Sequence, residues 1–231
     1  MYKYFISIVV TLFTISMYTQ NPLNVNVEKD TIVYKTAYGL RLGIDISKPV
    51  KALFDSSYKG YEIAGDYRLS KNFYIAAELG YEEETTHEDF TNSFAKGSYI
   101  RLGGNINLYK NWLDMNNEIF FGFRYGFSIF DQTLNSYTIN TGTEYFPATL
   151  MNSRTASGLN AHWAEFMLGI KVETIKNLYI SASFSYKVMV NAEDPDNFKT
   201  LFAPGFNRVF LNNTGFGFNY TISYLIPFRK K

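Results

Sequence analysis

The stretch Glu118-Ile119-Phe120-Phe121-Gly122-Phe123-Arg124-Tyr125-Gly126-Phe127-Ser128-Ile129 decides the fold. Ile119, Phe121, Phe123, Tyr125, Phe127 and Ile129 hold every second position, against Glu118, Gly122, Arg124, Gly126 and Ser128. Successive side chains of a strand point to opposite faces, so this is a two-faced β-strand with bulk on one side and glycine and charge on the other. The pattern recurs at 38–46, 61–69, 73–82, 100–108, 164–173, 180–188 and 216–226. Each segment is near the roughly 9–11 residues that a tilted strand needs to cross a bilayer.

The connections alternate in length. Ser70-Lys71-Asn72, Tyr109-Lys110-Asn111 and Ile175-Lys176-Asn177 are tight turns with a shared Lys-Asn pair, and Asn tolerates the positive φ of a tight hairpin. The other connections, 48–60, 83–98, 130–161 and 191–214, are long loops. Short turns at one end and long loops at the other are the habit of outer-membrane barrels. The expected fold is therefore all-β, an eight-stranded antiparallel up-and-down transmembrane barrel over 36–231. Ahead of it, Lys3 and the apolar run 4–13 read as a signal peptide, 1–19, with 20–35 as a periplasmic lead-in.

Composition narrows the function. The 231 residues carry 22 basic and 21 acidic side chains, a net of +1, which excludes a polycation built for nucleic acid. Aromatics make up 18%, and there is no cysteine, so disulfide scaffolds, thiolate metal sites and cysteine nucleophiles are all excluded. No cofactor or metal is expected. The acidic stretch from Glu82 through Asp89 reads as a solvated loop rather than a cation site, because it lacks the spacing of a defined cation loop. His162, Ser157 and Glu165 are the residues from which a Ser-His-acid site would have to be built, but no nucleophile motif accompanies them.

Volume decides which face meets lipid. The interior of eight strands has room for little more than its own side chains, so the large apolar set belongs outside and the glycines and charges inside. Tyr74, Trp112 and Tyr179, beside the short turns, read as an interfacial aromatic girdle. The lumen then receives Arg41, Arg68, Arg101, Arg124, Lys171 and Lys187 together with Asp45, Glu62, Asp66, Glu78, Glu118 and Glu165, and Glu82 and Glu173 share that face. These groups must pair, since unpaired buried charge is costly. Each of the four arginines is expected to bond lumen carboxylates, with Glu78 and Glu118 among the acceptors. The result is a plugged barrel, too narrow for a porin. In the last loop, Phe198, Leu201, Phe202, Phe206 and Phe210 are too apolar for a free surface and form a candidate partner surface.

Tyr38-Gly39-Leu40-Arg41-Leu42-Gly43, Gly65-Asp66-Tyr67-Arg68-Leu69, Gly97-Ser98-Tyr99-Ile100-Arg101-Leu102-Gly103 and Phe123-Arg124-Tyr125-Gly126 resemble small outer-membrane barrels of Bacteroidota-type bacteria. They look closest to a conserved family of unknown function. The resemblance implies outer-membrane residence and contact with lipid and lipopolysaccharide. By distant similarity to accessory barrels of secretion and assembly machines, it also implies a helper role beside another outer-membrane or periplasmic protein. It brings no catalytic residue, so the expected protein is not an enzyme. A lipid A- or phospholipid-modifying enzyme and a soluble lipocalin-like carrier are the competing readings.

Overall fold

The computed structural model describes residues 37–110, 115–139, 149–151, 153–196 and 198–230. The expected signal peptide, the lead-in and Trp112 lie outside them. Eight long strands are present: β1 (Ala37–Asp45), β2 (Tyr58–Arg68), β3 (Phe73–His87), β4 (Thr91–Asn107), β5 (Glu118–Ile139), β6 (Arg154–Ile175), β7 (Leu178–Ala192) and β8 (Thr214–Lys230). Each pairs antiparallel with the next, and β8 returns to β1 with Leu40 opposite Ile226 and Ile44 opposite Ile222, closing the sheet into a barrel. One helix, α1 (Ser47–Phe54), follows β1. No helix among the described residues is long and apolar enough to cross a membrane.

Bulk lies outside, as the volume argument requires. Ile119, Phe121, Phe123, Tyr125, Phe127 and Ile129 are exposed, while Glu118, Phe120, Arg124 and Ser128 between them are buried. Phe184, Phe216 and Phe218 extend this belt as a packed aromatic row on the outer wall. The belt has a defined upper limit. Glu83, Lys96 and Asp131 stand on one level of the β3–β4–β5 register, and there the outward face turns from apolar to charged.

Three expectations are corrected. The loop expected at 83–98 is strand for most of its length, because β3 runs to His87 and β4 starts at Thr91. β5 and β6 likewise reach 22 residues each, about twice a bilayer's need. Above the apolar belt the outward face takes up polar side chains such as Glu83, Lys96 and Asp131, so hydropathy alternation fades while the backbone ladder continues. Second, Tyr74 and Tyr179 are not a girdle. They are 3% and 2% exposed and point into the lumen, on the same parity as Glu78 and Ser181. Third, of the described turn asparagines only Asn177 is left-handed (φ 67°); the first turn closes when the Leu69 and Ser70 amides both donate to the Phe73 carbonyl.

Candidate functional site

The lumen is filled at three levels. Nearest the short turns, Arg41 donates from Nε to Asp66 (2.6 Å) and from its two terminal nitrogens to Glu118 (2.5 and 3.2 Å). Its guanidinium lies between the rings of Tyr74 and Tyr179, 4.7 and 5.0 Å from their centroids. Lys171 takes the other Asp66 oxygen at 2.5 Å. The planar guanidinium fork suits this spot because it satisfies two carboxylates and presents both faces to aromatic rings.

At mid-height Arg101 bridges Glu62 (2.6 Å) and Glu165 (3.0 Å), and Glu78 stands 3.9 Å away. Arg124 donates to both Glu78 oxygens at 3.0 Å and to the Gly104 and Phe123 carbonyls. Tyr99 donates to Glu62, and the Trp163 indole donates to Glu165 at 3.3 Å. These rings fit because glycines face them: a Cβ on Gly80 would land on Tyr99, and one on Gly126 would land on Trp163. The space left among these groups is about 50 Å³, enough for a few waters at roughly 10–15 Å³ each.

At the long-loop end, Lys48 on α1 reaches Glu82 at 2.5 Å, and Tyr58 donates to the same carboxylate. Burial disfavours the Lys48 ammonium, but Glu82 and Glu62 outweigh it and hold its pKa above the ordinary lysine value. The last loop folds into this mouth. Phe202–Ala203 and Asn207–Arg208 pair as a small hairpin, and Phe206 packs edge-on against Trp163 at 5.9 Å within a cluster that includes Tyr99, Phe130, Leu159 and Met189. Gly205 at its tip donates to Glu82 (2.6 Å) and accepts from Lys187 (2.7 Å). Gln132 fastens the loop from β5 by donating to the Lys199 carbonyl and accepting from the Leu201 amide, both at 2.9 Å.

Of the lumen residues read from the sequence, Arg41, Asp45, Glu62, Asp66, Glu78, Arg101, Glu118, Arg124, Glu165, Lys171 and Lys187 are all buried. Arg68 is the correction. It lies half-buried at the rim, where it donates to the Ser70 and Lys71 carbonyls and stacks near Tyr38 and Tyr74, because the turn folds back over the end of β2. Asp45 is held by neutral donors, the Ser47 and Tyr220 amides and the Asn219 amide group. The candidate partner surface also divides: Phe202 (3%) and Phe206 (0%) are buried in the mouth, Phe198 and Leu201 are half-buried, and Phe210 is exposed.

The other candidate chemistries do not assemble. His162 bonds Tyr125 on the outer wall, whereas Glu165 points inward and Ser157 is exposed higher on β6. The acidic stretch is not a solvated loop. Glu82 and Glu84 turn inward to Lys48 and Lys51, and Glu88 pairs with Arg208. No group of three or more potential metal ligands occurs among the described residues. Sequence reading missed Tyr58, Tyr99 and Trp163 as lumen residues; their parity with Glu62, Arg101 and Glu165, two residues away in Tyr99 and Trp163, was the available signal. Lys48 had none, because it comes from a loop helix.

A closed ring of eight antiparallel strands with an apolar exterior and a charged interior defines an outer-membrane-type β-barrel. The chain belongs to the family described as Domain of unknown function (DUF6048), whose model matches residues 1–231. No curated protein matches it. Among solved structures it is similar to Ail, the attachment invasion locus protein of Yersinia pestis, with a TM-score of 0.40 and 7% identity over 81% of this chain and 96% of that one.

Proposed function

We propose that this chain is an integral outer-membrane barrel with a plugged, salt-bridged lumen, acting as a structural or accessory subunit of an outer-membrane assembly and not as a pore or an enzyme. The observation that carries the reading is the lumen, filled from the Tyr74–Arg41–Tyr179 stack to the Phe206 plug. With its interior spent on ion pairs and its mouth closed by its own loop, the protein meets a partner through its outer surfaces. The outer wall meets lipid, and the long-loop end offers Phe210 and Leu211, 57% and 104% exposed, to a second outer-membrane protein.

The test is cross-linking in intact membranes followed by affinity isolation from detergent. A discrete complex of fixed stoichiometry, lost in the double variant Phe210→Asp with Leu211→Asp, is expected. Recovery of the barrel alone would overturn the subunit reading, and an altered lipid A profile on loss of the gene would favour an enzyme.

A further inference from the structure

The barrel wall is incomplete at one place. β1 stops at Asp45, opposite Thr221, and its pairing with β2 stops at Ile44–Ile63. Above that level Tyr58–Glu62 of β2 and Thr214–Asn219 of β8 have no β1 between them. α1 spans the interval, tied to β8 by Ile46 N–H to the Tyr220 carbonyl and by Ser47 Oγ to the Phe218 carbonyl. Behind α1 lies a cavity of about 500 Å³.

The lining of this cavity shows where it leads. It includes Gly215, Gly217 and Asn219 from the inward face of β8, and also Phe216 and Phe218 from the outward face. Residues of both faces of β8 border the space where β1 no longer pairs, so the space reaches the strand's free edge. Phe216 and Phe218 belong to the lipid-facing belt, so the cavity borders the apolar outer wall at that edge.

Cations outnumber carboxylates in the lining of the cavity. Lys48, Lys51, Arg101, Lys187 and Arg208 line it, against Glu82 and Glu84. Four of these cations have carboxylate partners within 4 Å. Lys187 is 4% exposed and makes no ion pair among the described residues; its one hydrogen bond goes to the Gly205 carbonyl. Glu165 stands opposite Lys187 in the register, but its oxygens are bonded by Arg101 and Trp163, and Glu82 is bonded by Lys48, so Lys187 has donors left for an anion in the cavity. Gly217 makes the room, since a Cβ at that position would stand 3.1 Å from the Lys187 nitrogen.

We infer that this lateral cavity binds the anionic headgroup of an outer-leaflet lipid, with phosphate at Lys187 and acyl chains running down Phe216 and Phe218. The apolar rim and the cationic floor, joined by one opening, match an amphiphile rather than a free ion. The inference rests on the membrane reading above, and the folded state is monitored separately by heat-modifiable mobility on gels.

The full chain, purified folded in non-ionic detergent, is titrated with phosphatidylglycerol, with phosphatidylcholine of the same acyl chains, and with inorganic phosphate, and bound species are counted by native mass spectrometry. Phosphatidylglycerol is expected to bind one per barrel and phosphatidylcholine far less. Lys187→Gln should weaken binding roughly tenfold or more, as loss of a charge-assisted bond does, while Lys187→Arg retains it. Gly215→Leu should weaken it too while keeping every charge; its Cβ meets the ring and the carbonyl of Phe206 at ordinary contact distances, 3.4 and 3.6 Å. Equal binding of the two lipids, or wild-type affinity in both weakened variants while they remain folded, overturns the site. Displacement of the lipid by inorganic phosphate overturns the lipid assignment.

Discussion

Arg101→Met is expected to lower the temperature at which the folded barrel converts to its unfolded gel band far more than Lys51→Ala does. Arg101 is 2% exposed, bonds Glu62 and Glu165, and has Glu78 at 3.9 Å. Removing it leaves carboxylates buried without their cation, which costs on the order of 3–5 kcal/mol in a dry site. Lys51 pairs with Glu84 at 3.0 Å, but its side chain is 44% exposed, and such a pair is worth about 0–1 kcal/mol. Adding Glu62→Gln and Glu165→Gln to Arg101→Met should restore part of the loss, because the stranded charges are then gone. Equal shifts for Arg101→Met and Lys51→Ala would mean the lumen is wet.

Gly205→Val is expected to release the plug and leave the barrel standing. Gly205 has φ +81°, a conformation that a β-branched residue reaches only with strain, about 1–3 kcal/mol. The new Cβ would also stand 2.6 Å from a Tyr99 ring carbon and 3.0 Å from the Trp163 indole, and neither ring has space to retreat. With the tip displaced, Glu82 loses the Gly205 amide and Lys187 its carbonyl. Limited chymotrypsin digestion of the folded barrel reads this directly. Cutting after Phe202 and Phe206, both buried in the wild type, should accelerate roughly tenfold or more, while cutting after exposed Phe210 serves as an internal reference. Unchanged cleavage at Phe202 and Phe206 would show that the loop does not depend on this geometry.

The strands and their inward charges were readable because one physical constraint acts on every residue of the belt. Lipid demands apolar side chains at alternate positions, and an eight-stranded interior admits only small or paired ones. Where lipid stops, that constraint stops. The extensions of β3, β4, β5 and β6 show no apolar alternation, yet the backbone ladder carries them well past Glu83, Lys96 and Asp131. Tyr74 shows a different failure. Its parity with Glu78 already placed it inward, and the habit of aromatic girdles argued against its own alternation. The plug was out of reach for another reason. Phe206 is buried among Tyr99, Phe130 and Trp163, all distant in sequence, and Gly205 is fixed by Glu82 from β3. Nothing local in 191–214 says whether an apolar loop folds onto its own barrel or waits for a partner. The short reach of β1 carries a similar lesson. Asp45-Ile46-Ser47 continues the alternation in sequence, but the chain leaves the wall there because Asp45 turns back to accept the Ser47 amide and α1 begins.

The central claim is that the lumen is closed by its own side chains, and ionic conductance tests it most directly. The full chain is inserted into a planar lipid bilayer in molar potassium chloride, insertion is verified by recovery of the heat-modifiable folded form, and single-channel current is recorded under applied voltage. With Arg41, Arg101 and Arg124 locked to their carboxylates and Phe206 in the mouth, wild-type current should be indistinguishable from that of the bare bilayer. Steady, stepwise wild-type conductance would contradict the account, because it would require a continuous water column through a lumen held shut by ion pairs.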